Sequence, residues 1–168
     1  MSAVPFAVLP DSARAWIFAA RRPLDADEAE RLLAAVDAHL REWRAHGRPV
    51  VGARDWRLDR FLIVASDEAA SGVSGCSIDA LFRTLGQVER ELGVPLRDRS
   101  AVHFRDREGG IRSVDRAAFR GLAADGEVDA DTAVLDTTID SVGEVRSGRW
   151  ELPLGDSWLA RLLPSPAG

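Results

Sequence analysis

Apolar positions recur along the chain in two rhythms. Residues 15–20 (AWIFAA) form a short apolar run closed by Arg21, Arg22 and Pro23, which predicts a first strand. Asp25 and Glu28 follow with capping-box spacing. Ala29, Leu32, Leu33, Val36, Leu40 and Trp43 then repeat in steps of three and four, the stripe of an amphipathic helix, which Gly47 and Pro49 stop. Residues 50–57 and 60–66 predict two strands joined by the short link Leu58–Asp59, hence an antiparallel hairpin. The second of these, with its continuous FLIVA, suits a central strand. After a small-residue loop over 67–74, a second helix is predicted from about Ser77, with Ile78, Leu81, Phe82, Leu85, Val88 and Leu92 on one face. Gly93 and Pro95 end it, and residues 101–105 read as a further strand.

Strand, helix, strand, strand, helix, strand is the order of the ferredoxin-like split βαβ arrangement. The expected fold class is therefore α+β, with two helices on one face of an antiparallel sheet over residues 1–98. A second unit is expected over residues 99–168, and the strand at 101–105 can serve either. In this part the pattern changes. Residues 106–110 (DREGG) are a polar turn, 111–114 a short strand, and 115–124 a short helix with Ala118, Phe119 and Leu122 inward. Residues 132–139 are rich in strand formers, Trp150 lies in the strand-like RWELPL, and 157–163 predict a short helix bearing Trp158, Leu159 and Leu162.

Composition narrows the chemistry. The 168 residues carry 22 basic and 27 acidic side chains, a net charge of −5. All 22 basic residues are Arg, and Lys, Asn and Tyr are absent. Without Lys there is no Walker A loop and no Schiff-base or pyridoxal phosphate chemistry, so any phosphate clamp must use Arg, backbone N–H groups or a metal. The single cysteine, Cys76, excludes an internal disulfide and a multi-Cys metal site. The acidic balance argues against nucleic acid and anionic lipid as partners. Residues 1–10 lack the features of a signal peptide and no stretch is long and apolar enough for a membrane span, so a cytoplasmic location is expected.

Candidate chemistry is sparse. Cys76 precedes the second helix, where the helix dipole and free N–H groups favour thiolate, and His103 is the available base. The competing reading makes Cys76 a small hydrophobe in a tight turn and Ser77 a helix cap. Ser74, Gly75 and Ser77 can present groups to a small anion in the loop over 71–77. His39 and His46, seven apart, are a poor zinc pattern, and Asp67, Glu68 and Asp79 read as solvated acids before they read as a cation site. No metal or cofactor is expected. Trp150 and Trp158 flank Pro153 and either line a groove or anchor the C-terminal segment.

Four phrases, AHGRPV (45–50), DRFLIVASDE (59–68), SGCSIDALF (74–82) and RWELPLGDSWLAR (149–161), resemble a family of small bacterial proteins of unassigned function, often labelled automatically as ABC transporter ATPases. The chain has neither a Walker A loop nor an LSGGQ-like signature, so ATPase activity is not carried over. Members of that family usually carry His where this chain has Leu159, so a site using that His is not carried over either. The stretch GGIRSVDRAAFRGLAADGEVDADTAVLD (109–136) resembles the bacterial GYF-like module, whose relatives bind proline-rich peptides through a Gly-Tyr-Phe cluster absent from this chain. Together these readings predict a non-catalytic interaction or small-ligand-binding protein, with a protein, a peptide or a small anion as partner. The alternative is a thiol-dependent enzyme using Cys76 with His103 as base.

Overall fold

The chain enters strand β1 (Arg14–Ala19) and turns into helix α1 (Ala26–Glu42). The capping box is complete: the Glu28 N–H donates to the Asp25 carboxylate at 2.9 Å, and the Asp25 N–H donates to Glu28 at 3.0 Å. This satisfies two N–H groups that a helix start leaves without intrahelical partners. Where the sequence predicts only a helix stop, a small hairpin forms from β2 (Arg44–Ala45) and β3 (Arg48–Pro49). Strands β4 (Gly52–Arg57) and β5 (Phe61–Ser66) make the expected antiparallel hairpin. Its three-residue connection, 58–60, holds Leu58 and Asp59 at φ of 54° and 53°, the left-handed conformation of a type I′ turn, which the Arg60 N–H closes by donating to the Arg57 carbonyl at 3.2 Å. A one-turn helix, α2 (Glu68–Ser71), precedes α3 (Gly75–Leu92).

The computed structural model describes residues 3–71 and 75–165. It is an α+β architecture with antiparallel sheets. In the first sheet the strands stand in the order β1-β5-β4. Side chains alternate between the faces of a strand. Trp16, Phe18, Leu62 and Val64 therefore meet Leu32, Val36, Leu81 and Leu85 of α1 and α3 on one face. Ile17, Phe61 and Ile63 point to the other. Arg54 fastens β4 to α1 through a two-pronged ion pair with Asp37, at 2.7 and 2.8 Å.

The second sheet has the order β7-β6-β8-β9, from β6 (Ala101–Arg105), β7 (Ile111–Asp115), β8 (Ala133–Leu135) and β9 (Glu151–Pro153). Helix α4 (Arg116–Ala124) covers one face, with Phe104 edge-on to Phe119 at 5.2 Å. A 3₁₀ turn, Trp158–Leu162, adds Leu159 and Leu162 to that core. Helix α5 (Val142–Arg146) lies between β8 and β9 in sequence.

One open point closes and one expectation changes. Strand 101–105, open in sequence to either unit, pairs with β7 and β8 in the second sheet and does not extend the first. Along β1 its place is taken by isolated contacts, Ala19 N–H to the Leu96 carbonyl at 3.2 Å and Ala15 N–H to the Asp140 carbonyl at 2.8 Å. Pro95 lacks an N–H, which limits what the segment before β6 can add to a ladder. Helices also do not keep to one face. Val142 and Val145 of α5, with Trp150 and Leu135, cover Ile17, Phe61 and Ile63 on the face opposite α1 and α3. Every residue of β5 is consequently buried. Among the described residues no helix is long and apolar enough to cross a membrane.

Candidate functional site

The register of the second sheet sets Ser113, His103 and Leu135 abreast on β7, β6 and β8. That row faces the first sheet at its β1–β5 corner, where the His103 ring meets Phe61 at 5.3 Å and Phe61 meets Trp150 at 5.4 Å. His103 is buried, and its Nδ1 lies 2.7 Å from the Ser113 hydroxyl. Arg60, also buried, donates one N–H to the Ser113 hydroxyl at 3.3 Å and one to the Arg21 carbonyl at 3.2 Å. Its Nε has no hydrogen-bond partner among the described residues. Arg21 itself is held outward by Asp98, at 2.7 and 2.9 Å. Burial, then the charges of Arg60 and Arg21, push the His103 pKa down to about 4. At neutral pH the ring is uncharged. The Ser113 hydroxyl, which accepts from Arg60, also shares a hydrogen bond with His103 Nδ1.

The Cys76–His103 pairing rests on a Cys76 side chain that lies outside the described residues. The first turn of α3 lies on the helical face of the first sheet, where the buried Ser77 accepts the Trp43 indole N–H at 3.0 Å through its carbonyl. His103 lies on the opposite face, against Phe61. Gly75 is the first residue of α3, while Ser74 and the side chain of Cys76 fall outside the described residues, as does the middle of the loop over 71–77. Of the other histidines, His39 lies against Trp43, its Nδ1 3.3 Å from the Thr84 hydroxyl, and burial lowers its pKa. Among the described residues, no group of three or more His, Cys, Asp or Glu is placed to hold a metal ion.

The two tryptophans singled out at the C-terminal end part company. Trp150 is buried against Phe61, with the Arg57 guanidinium over its ring at 5.4 Å, and anchors the second core. Trp158 is 38 % exposed and lines a cleft of about 170 Å³. Ser157 starts the 3₁₀ turn by accepting the Leu159 N–H at 3.1 Å while donating to the Leu154 carbonyl at 3.0 Å. In a 3₁₀ turn, side chains three apart eclipse one another. Leu159 and Leu162 thus face inward together, and Trp158 and Arg161 face outward together. The Arg161 guanidinium lies 4.7 Å from the indole centre, and that of Arg116, the first residue of α4, lies 5.3 Å from it. Asp136, just beyond β8, accepts the Trp158 indole N–H at 3.3 Å, the Thr138 N–H at 2.8 Å and the Thr138 hydroxyl at 2.5 Å. Arg99, Thr137 and Leu159 complete the walls.

Sequence reasoning reached Trp158 but not its neighbours. Arg99, Arg116 and Asp136 come from three separate stretches, and only the fold of the second sheet joins them. In the sequence Arg60 reads solely as the first residue of the strand predicted over 60–66. No protein-family model, no curated protein and no solved structure matches this chain.

Proposed function

We propose that this protein is a non-catalytic ligand-binding or interaction protein, and that the Trp158 cleft is its site. The observation that carries the reading is the exposed indole, fixed at its edge by Asp136 and overlaid by two guanidiniums, at the mouth of a 170 Å³ cleft. Large exposed aromatics positioned by polar partners concentrate binding energy. Pockets for whole small molecules are roughly 300–1,000 Å³, so this cleft suits one end group of a ligand or one side chain of a partner.

The same proposal covers the finer fold assignment and the family. The order β1-β5-β4 is that of a ferredoxin-like sheet without its outer strand, which supports a reduced ferredoxin-like unit over residues 1–98. The hairpin, α4 and β8 support a GYF-like unit beyond it that lacks the aromatic tripeptide. Membership in the small bacterial family of unassigned function rests on the four phrases shared with it.

Nitrogen-15 NMR tests the site. The five tryptophans give indole N–H signals, and the signal lost in Trp158→Phe identifies the cleft. A set of small neutral and charged fragments is then titrated. Saturable shifts of the Trp158 signal by some of them, with the buried Trp150 signal unmoved, are expected. No shift with any fragment at millimolar concentration refutes the site.

A further inference from the structure

We infer that the Trp158 cleft receives a phosphate monoester, an inference that rests on the reading of that cleft as the binding site. The chain has more carboxylates than guanidiniums, and among the described residues nine arginines are ion-paired. Arg99 and Arg116 on the cleft wall, and Arg161 over the indole, have no carboxylate partner among the described residues. Three cations thus gather around one acid in a protein whose net charge is −5.

That acid is already engaged. Asp136 Oδ1 accepts all three donors, the Trp158 indole N–H and the Thr138 N–H and hydroxyl, and so holds the indole edge in place. The Thr137 hydroxyl, on the same wall, makes no hydrogen bond to any described residue. An entering group is therefore offered the Arg99 and Arg116 guanidiniums, the Thr137 hydroxyl and a third cation, Arg161, over the Trp158 ring.

Guanidiniums packed on an aromatic face lose torsional freedom while their N–H edges stay available. Their fork geometry matches the paired oxygens of phosphate, and each charge-assisted contact is stronger than a neutral one. The surplus of two positive charges equals that of a phosphate dianion. With no Lys anywhere in the chain, arginine is the side chain that can do this. The size of the cleft admits the phosphate and the first atoms of what bears it. A small metabolite and a phosphorylated side chain of a partner share that group.

The test uses the full chain and the Trp158 indole signal, with phenyl phosphate, benzoate and benzyl alcohol as probes, and a short phosphoserine peptide beside its unphosphorylated form. Phenyl phosphate is expected to bind about tenfold or more tightly than benzoate, and the alcohol least. Binding should weaken with added salt. Arg116→Gln and Arg99→Gln, both surface changes, should each weaken phenyl phosphate about tenfold and leave benzyl alcohol unchanged. A phosphoserine peptide tighter than phenyl phosphate identifies a phosphorylated partner; equal or weaker binding identifies a small metabolite. Phosphate binding that ignores both arginine variants, or a neutral probe that binds as well as the phosphate, overturns the inference while leaving the cleft a binding site. Silence of the Trp158 signal to every probe overturns both.

Discussion

Acidification should loosen this protein at the seam between its two sheets, and His103 sets the pH range. The ring is 2 % exposed, shares a hydrogen bond with Ser113 through Nδ1, and faces Arg60 and Arg21, with Asp98 behind them. Its folded pKa of about 4 lies below the ordinary value of 6.5. Above 6.5 both the folded and the unfolded chain keep the ring neutral, and this group contributes no pH dependence. As pH falls through the interval from 6.5 to about 4, the unfolded chain takes the proton and the folded chain resists it, so stability drops. The full interval corresponds to about 3 kcal/mol, and by about pH 5 the loss is about 2 kcal/mol. Glu28 and Asp98, held down to about 2 by Arg22 and by Ser100 with Arg21 respectively, lose their contributions only as pH falls from their ordinary values of 4.5 and 3.8. The two ranges barely overlap. Urea unfolding, followed by tryptophan emission at neutral pH and at about pH 5, measures the effect. His103→Gln keeps a polar partner for Ser113 and removes the titration. The wild type should lose about 2 kcal/mol more than this variant over that range. Equal losses would show that His103 is not the group responsible and that the seam tolerates its charge.

Three further outcomes are expected. Arg60→Met removes a buried cation whose Nε is unpartnered, so stability at neutral pH should stay within about 1 kcal/mol of wild type; because Arg60 helps to depress His103, the same variant should show a smaller acid loss in the urea series. Gly52→Ala would set a Cβ 3.0 Å from the Trp43 ring and 3.1 Å from Leu40 Cδ2, both buried side chains; the crowding should cost about 1–3 kcal/mol in chemical unfolding. Purified protein given Mg-ATP should release no phosphate above a buffer blank, since positioning and charge stabilisation of the transferred group need a phosphate loop and Lys that the chain lacks; turnover above the blank would refute that reasoning.

Elements fixed by local chemistry were legible in the sequence. The capping box at Asp25, the three-and-four spacing of α1 and α3, and the tight β4–β5 hairpin each appear within a residue or two of expectation. Pairing between distant segments was not. Residues 101–105 read as a strand, but their partners depend on which apolar faces remain uncovered once α4 has packed, and no local pattern encodes that. Helix α5 has only a faint signature in the sequence. Ser141 caps it by accepting the Glu144 N–H at 3.2 Å, and Val142 and Val145 are three apart, but five residues are too few to show a periodicity. At the sites, the sequence distinguished Trp158 no better than Trp150. Their fates diverge because one stands beside Phe61 and the other shares a 3₁₀ turn with Arg161.

The two-sided burial of β5 bears on how the chain is made. Ser66, its last residue, leaves the ribosome 84 residues before Trp150, which covers the far face. At typical rates of synthesis, about 5–20 residues per second, that gap lasts roughly 4 to 17 s. Helices α1 and α3 are available early and can shield Leu62 and Val64, while Ile17, Phe61 and Ile63 remain bare beside an unfilled β1 edge. A nascent chain in that state presents an apolar surface of the kind that chaperones engage and that neighbouring chains pair with. Closure comes late and from far away: Arg146 reaches the Asp11 carboxylate, 135 residues earlier, at 2.6 Å and the Phe6 and Ala7 carbonyls at 3.2 and 3.0 Å, tying the end of α5 to the segment ahead of β1.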